Sequence, residues 1–408
     1  MKCRHCGANV TVPFIDLGSS PPSNAYLTDS LLNRSEKWFP LRALVCTECW
    51  LVQTEDHARS EDLFPDDYSY FSSYSTTWLA HSKRYVAEMT ARFNLNDESM
   101  IVEVAANDGY MLQYAKERSI PCYGIEPTAS TAAAARLKGI EIVEEFFGRA
   151  LANELVDQGR QADLMAANNV LAHVPDINDF VGGFALLLKP KGVATFEFPH
   201  LLKLVEGNQF DTIYHEHYSY LSLTAVQHIF SANGLVIIDV EEIATHGGSL
   251  RVFARRADVA FHAVSQNVAN VLDCEIAAGV LTEEFYSIFQ SSADQVRDDF
   301  LSFLVECKRD GKKVAAYGAA AKGNTLLNYA GVQSDLLPYV VDKNPAKQGK
   351  FMPGSHVPIV CEERLKDEKP DYVVILPWNL HSEVISQLQY IRGWNCQFVM
   401  AIPHLRIE

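Results

Sequence analysis

The sequence predicts an α/β protein in which a cysteine-stapled N-terminal module precedes two Rossmann-like units. Three observations carry that reading. Two Cys-x-x-Cys pairs, Cys3/Cys6 and Cys46/Cys49, lie close to the N-terminus. From Met100 onward, short apolar runs alternate with helical stretches, the signature of a parallel sheet covered by helices. The same alternation restarts at Lys313 and continues to the end of the sequence.

A chain of 408 residues exceeds what one hydrophobic core supports, so about two to four domains are expected. With 48% hydrophobic and 21% charged residues, burial offsets the entropy of ordering the chain. The net charge of −16 argues against a polyanionic partner, because nucleic-acid affinity rests on Lys and Arg neutralising phosphates. A single anionic small molecule remains compatible with it. The start, Met1-Lys2-Cys3-Arg4, has no apolar signal segment, and no apolar stretch reaches membrane-spanning length. The expected setting is therefore the cytoplasm, with neither nucleic acid nor membrane as partner, and the expected assembly is a monomer or weak homodimer. Thiols stay reduced there, so the nine cysteines read as metal ligands and core residues rather than as a disulfide framework.

Residues 1–65 form the module, 66–256 the central domain, 257–310 a helical connector and 311–408 the C-terminal domain. The module has few long periodic runs and reads as stapled rather than core-driven. In the central domain strands are expected at Ile101–Ala105, Cys122–Ile125, Ile140–Val143, Leu164–Ala167, Val193–Phe198, Leu235–Val240 and Leu250–Ala254. The last two flank a short loop and read as an antiparallel pair at the sheet edge. The connector lacks strand signals, and Val296, Phe300, Phe303 and Leu304 share one helical face. Strands at Lys313–Tyr317, Leu337–Val341, Tyr372–Leu376 and Gln397–Ala401 build the second unit.

Cys3, Cys6, Cys46 and Cys49 fit a tetrahedral structural zinc, since each pair offers two thiolates from a tight turn and four thiolates leave no open position for water. The first strand of the central domain runs into Glu103, Ala105, Asn107, Asp108 and Gly109. This turn retains only one of the glycines that a dinucleotide pyrophosphate loop needs, so it suits a ligand without phosphates. About 20 residues further on, Glu126 ends the second strand, where a carboxylate accepts both hydroxyls of a ribose. Asn168 and Asn169 end the fourth strand. In this order the pieces match the adenosine and methionine parts of S-adenosylmethionine (SAM).

With these motifs the chain resembles, over essentially its full length, the sugar C-methyltransferases that act on nucleotide-linked 4-keto-6-deoxyhexoses. The shared pattern comprises the paired Cys-x-x-Cys motifs, E-x-x-x-N-D-G (Glu103 to Gly109), N-x-x-x-H (Asn169 to His173), I-Y-x-E-H (Ile213 to His217) and G-A-x-x-K (Gly318 to Lys322). Ala105 departs from it, standing where relatives often carry glycine. The resemblance implies a zinc-binding module, a Rossmann-like class I SAM methyltransferase domain and a Rossmann-like nucleotide-binding domain. It also implies SAM and structural Zn2+ as cofactors and a nucleotide-linked keto-sugar as substrate.

Methylating a carbon requires removing a proton beside a ketone, hence a nearby base and a stabilised enolate. His217 matches the family's base, an imidazole being the simplest base near neutral pH. Tyr214 matches a hydroxyl near the sugar carbonyl, Glu216 a residue that orients His217 or holds a sugar hydroxyl, and Tyr68 a tyrosine facing the same cleft. His173 projects toward it, and Tyr70 is a substrate contact. The turn leading to Lys322, Asn324 and Thr325 opens a helix whose free N–H groups form an anion site for the sugar-nucleotide pyrophosphate. Asp342 and Trp378 end later strands beside it. With the resemblance set aside, the alternatives are a zinc-ribbon methyltransferase for another small molecule or RNA, the acidic balance counting against RNA, and a non-catalytic sensor of SAM and a nucleotide sugar.

Overall fold

The computed structural model describes residues 1–57, 71–259 and 263–408. Tyr68 and Tyr70 lie outside the described residues, as does the junction expected between the module and the central domain. Among the described residues no helix is long and apolar enough to cross a membrane.

Three sheets organise the chain. The first is antiparallel in the order β1-β2-β3-β9, formed by β1 (Val12–Ser20), β2 (Phe39–Val45), β3 (Val52–Thr54) and β9 (Ser219–Tyr220). Its last strand comes from the far end of the central domain, with Val52 opposite Tyr220 and Gln53 opposite Ser219. The module is more than a staple. Phe14, Ile15, Leu17, Leu41, Ala43, Val45 and Val52 are buried in a core shared with the long connector helix and the C-terminal unit. The reading as stapled rather than core-driven is therefore only half the account, because β1 and β2 also bury apolar residues against partners more than two hundred residues away. Such pairing leaves little periodic signal in a short window.

The second sheet has seven strands in the order β10-β11-β8-β7-β4-β5-β6. They are β4 (Ile101–Val104), β5 (Cys122–Ile125), β6 (Glu141–Val143), β7 (Ala162–Asn168), β8 (Leu188–Pro199), β10 (Leu235–Ile243) and β11 (Ser249–Arg256). The pairs from β6 through β8 are parallel, whereas β11 runs antiparallel to both β8 and β10. The chain fills one side of β4 with β5 and β6, then crosses to the other with β7 and β8. That reversal opens a crevice beyond the carboxyl ends of β4, β5 and β7, where open α/β sheets bind ligands.

The third sheet is ordered β14-β13-β12-β15-β16-β17, with β12 (Val314–Tyr317), β13 (Val340–Val341), β14 (Ile359–Val360), β15 (Tyr372–Ile375), β16 (Gln397–Met400) and β17 (Arg406–Ile407). It is parallel except for β17. The two-residue strands β14 and β17 are additions to the four that the sequence suggests.

The connector consists of helices Gln266–Ala278, Glu283–Ser287 and Phe289–Arg309, and the last buries the expected face of Val296, Phe300, Phe303 and Leu304. Glu275 ties the first of these helices to the central sheet. Its buried carboxylate accepts from His200 Nε2 (2.7 Å), from the Leu223 and Thr224 amides (2.6 and 2.9 Å) and from the Thr224 hydroxyl (2.6 Å). Those two amides belong to the buried first turn of helix Leu223–Ala232, where a negative charge is favoured. Glu275→Ala strands all four donors in the interior and is expected to cost about 3–5 kcal/mol. Urea denaturation of the two proteins measures it, and a loss below about 1 kcal/mol contradicts this role.

Candidate active site

The four predicted zinc ligands converge. The sulfurs of Cys3, Cys6, Cys46 and Cys49 all lie within 4.8 Å of one another, with Cys3 to Cys49 and Cys6 to Cys46 each at 3.6 Å. Tetrahedral zinc with bonds of about 2.3 Å places its sulfurs about 3.8 Å apart, so the set fits the ion. The two turns are built alike. Gly7 and Trp50, each just past the second cysteine of a pair, adopt positive φ (73° and 58°), and their amides donate back to the Cys3 and Cys46 carbonyls. Gln53 donates to the Cys3 sulfur at 3.3 Å. Cys49 donates to Cys3, which pulls the Cys3 thiol down to about 4, whereas burial lifts Cys46 to about 11. A divalent cation at the centre lets all four ionise together. Among the described residues this is the one group of His, Cys and acidic side chains with such geometry. His215, in contrast, turns its Nε2 toward the Phe39 and Pro40 carbonyls (both 3.3 Å).

Beyond β4 the chain curls through Ala105, Asn107 and Gly109, all with positive φ (58°, 48° and 73°). The left-handed conformation is one that glycine adopts freely, so the alanine side chain at position 105 costs about 1 kcal/mol. Gly109 is constrained doubly, because an added Cβ would sit 2.4 Å from Ile140 Cδ1. The curl delivers the Asn107 amide to Glu126 Oε2 (2.9 Å), while the Thr128 amide binds Oε1 (2.9 Å). Glu126 is thereby fixed at the mouth of the crevice with lone pairs left for further donors. Asp108 pairs with Lys138 at 3.2 Å. Glu103 is fully buried beneath the loop, and burial raises its carboxyl well above the ordinary range. Asn168 donates to Met111 Sδ (3.5 Å), and Asn169 donates to His246 Nε2 (3.3 Å). The buried side-chain oxygens of both asparagines have no protein partner. Acceptors at the ends of β5 and β7 suit the ribose hydroxyls and the ammonium of SAM.

Past Asn169 lies a cluster of neutral groups. His217 Nδ1 donates to the Thr212 carbonyl (2.9 Å), which leaves Nε2 to accept from the Tyr214 hydroxyl (2.8 Å). The His173 ring packs edge-on against His217, with centroids 4.5 Å apart. Burial, reinforced by His173 and Lys322, holds His217 well below 6.5, and burial takes His173 down to about 4. Both imidazoles are therefore uncharged at neutral pH. Glu216 is also buried, with one oxygen accepting from Asn24 Nδ2 (3.1 Å) and the other unpartnered, and burial pushes it up to about 7.

The residues assigned to the C-terminal unit fall into two groups. Lys322 and Trp378 face the cluster: the Lys322 ammonium lies 4.4 Å from the Trp378 ring centroid, and the indole N–H donates to Asp211 Oδ2 (2.8 Å). Asn324 is buried with neither amide atom bonded. Thr325 and Asp342, however, are engaged within the protein. The Thr325 hydroxyl donates to the Ile213 carbonyl (3.0 Å), and Asp342 accepts from the Ala319 and Asn344 amides (both 2.8 Å). Five residues that the sequence reading did not assign also line the site: Asn24, Trp78, Lys138, Asp211 and His246. Trp78 stacks on His81 and meets His246 edge-on at 5.6 Å. The turn holding His246 is wedged against Trp378 so tightly that a Cβ on Gly247 would lie 2.4 Å from its ring.

This strand order, the acid-ended crevice and the cysteine centre define a SAM-dependent methyltransferase with a structural zinc module. The chain matches a zinc binding domain over residues 3–64, a methyltransferase domain over 78–240 and a C-methyltransferase C-terminal domain over 244–403. It is 33% identical over 406 residues to C-methyltransferase NovU of Streptomyces niveus, a match covering 100% of this chain and 96% of the relative. The chain belongs to this family of C-methyltransferases. Among solved structures, the magnesium protoporphyrin IX methyltransferase of Synechocystis PCC 6803 with bound SAM is 15% identical, covering 44% of this chain and 79% of that one at a TM-score of 0.34. The 1,6-didemethyltoxoflavin-N1-methyltransferase of Burkholderia thailandensis is 17% identical, covering 51% and 96% at 0.35. At these scores neither likeness bears on function.

Two outcomes are expected. The purified protein should carry one zinc per chain by elemental analysis, and Cys46→Ser should lose it and melt at a lower temperature; a metal-free protein of unchanged stability contradicts the assignment. Glu216 binds its proton more tightly in the folded chain, near 7 against an ordinary 4.5, so its stabilising contribution is complete below about pH 4.5 and lost as pH rises through 7. Glu216→Gln keeps an acceptor for Asn24, and its melting temperature relative to the native protein should climb between pH 5 and pH 8. A constant difference across that range rules out a buried, titrating Glu216.

Proposed function

We propose that this C-methyltransferase alkylates C-3 of a nucleotide-linked 4-keto-6-deoxy sugar, with His217 as the base that forms the enolate. The observation that carries the proposal is the half-buried Tyr214–His217 pair at 2.8 Å. Its tautomer is set by the Thr212 carbonyl, so that Nε2 is the lone-pair atom. Bound SAM supplies the electrophilic methyl carbon. His217 takes the C-3 proton, Tyr214 turns its hydroxyl from the imidazole to the sugar carbonyl, and His173 and Glu216 shape the pocket around the reacting ring. Asn168 and Asn169 hold the methionine end of the cofactor and Glu126 its ribose. The nucleotide lies against the C-terminal unit near Asn324, whose free amide offers both a donor and an acceptor. Holding the two carbons in line converts an encounter into an intramolecular displacement. The setting is the cytoplasm, and the working unit is a monomer or weak homodimer.

The test is solvent exchange. Thymidine-, guanosine- and cytidine-linked 4-keto-6-deoxyhexoses are incubated in D2O with the protein and S-adenosylhomocysteine, and deuterium is located by NMR. One donor is expected to gain deuterium at C-3, and His217→Asn to slow that gain by about 10²–10⁴-fold while still binding the cofactor. Undiminished exchange in the variant, or deuterium only at another carbon, overturns the assignment.

A further inference from the structure

Removing a proton beside a ketone moves an electron pair onto the carbonyl oxygen, and the step becomes feasible only where that charge is received. In the sequence, Lys322 reads as a ligand for a pyrophosphate cradled by the turn Gly318–Ala321. The structure gives that turn other work. The Ala319 amide is bonded to Asp342, and the Ala319 carbonyl accepts from the Tyr26 hydroxyl (2.6 Å) and from Lys347 Nζ (2.7 Å). One entrance to an anion cradle is thus filled by the protein's own carboxylate, which a phosphate would have to displace.

Lys322 points elsewhere. Its ammonium donates to Asn379 Oδ1 at 3.0 Å and lies over Trp378. Trp378 donates to Asp211, and Asp211 begins the turn whose next residue, Thr212, grips His217 through its carbonyl. Lys322 and the proposed base therefore stand at two ends of one short chain of contacts. The Trp378 ring also abuts Gly247 in the turn that carries His246, so Lys322, Asp211 and the His246 turn meet at one indole, and the lysine's positive charge depresses the basicity of His217 and of His246. Asp211 is bonded to the indole rather than to the ammonium, and an ammonium has three donors, of which Asn379 takes one. Burial holds Lys322 down to about 8, against the pull of Asp211, which leaves it charged at neutral pH.

We propose that Lys322 is a catalytic residue whose ammonium receives the carbonyl oxygen of the keto substrate and holds the negative charge of the enolate. The C-3–H bond breaks, and its proton goes to His217 Nε2. The bonding pair becomes the C-3=C-4 double bond, and the carbonyl π pair moves to oxygen against Lys322. The ammonium keeps its own proton, so no further reactant is needed. This rests on the C-methylation reading above and gives that reading the group that stabilises its enolate.

The full-length, zinc-loaded protein separates this role from phosphate binding. For native protein, Lys322→Met and Lys322→Gln, C-3 deuterium exchange is measured at saturating nucleotide keto-sugar with S-adenosylhomocysteine, and thymidine diphosphate affinity is measured by calorimetry. Both variants are expected to lose exchange by at least about 100-fold, with diphosphate affinity within about threefold of native and cofactor binding intact as the check on folding. Unchanged exchange at saturation, with or without a tenfold weaker diphosphate, overturns the proposal. Should both variants fail to bind cofactor, Lys322→Ala with added methylammonium decides: recovery of exchange upholds the role, and none rejects it. Native protein that exchanges nothing at C-3 defeats the enolate reading itself, whereas native exchange that persists in the variants defeats only the role of Lys322.

Discussion

Two residue pairs between β3 and β9 hold the zinc module to the candidate active site. The strand Val52–Thr54 belongs to the zinc module, and Ser219–Tyr220 follows directly on the segment that carries Tyr214, Glu216 and His217. The link continues past the strand ends, since the Thr54 amide donates to the Tyr218 carbonyl (3.1 Å) and the Thr54 hydroxyl to the His217 carbonyl (3.1 Å). A three-residue strand has too few bonds to hold itself in register. Zinc compensates by closing the long loop between the two cysteine pairs, which removes conformational freedom from the unfolded module. On the proposed reading, zinc held by the four cysteines would support the candidate site at a distance, by fixing the strand onto which the histidine segment is paired.

The second constraint is desolvation. Packing the module, the central sheet and the C-terminal unit around one cleft removes water from His173, His217 and His246, which stay neutral, and from Glu216 and Asp211, which are pushed up to about 7 and about 6. A neutral imidazole is ready to accept a proton, and carboxyls near neutrality exchange protons at little cost. The overall acidity of the chain says nothing about this. Its charged side chains lie mostly at the surface, whereas the candidate site gathers a few groups in the cleft whose pKa values answer to desolvation first.

What was legible in the sequence is what local spacing encodes. The Cys-x-x-Cys pairs announce a zinc cluster, and the acid ending β5 at the right distance from the β4 loop announces a SAM crevice. The apolar runs give all seven strands of the central sheet. Contacts between distant segments were not legible. Asn24 sits in a proline-rich stretch and meets Glu216 across the fold; Trp78 looks like any residue of an amphipathic helix; His246 lies in what reads as a plain hairpin loop. The pairing of β9 with β3 spans more than 160 residues and involves a strand too short to show alternation. Asp342 illustrates the converse, for its position at a strand end suggests a ligand contact while its oxygens are committed to backbone amides.

The dependence of the His217 segment on the zinc module is open to direct measurement by hydrogen–deuterium exchange before and after zinc is stripped by a chelator. Amides in residues 52–54 and 213–220 should lose protection together when the metal leaves, at a temperature where β4 and β7 remain protected. Protection of 213–220 that is indifferent to zinc would mean that the segment is held by the central domain alone, and the coupling of metal to active site would fall.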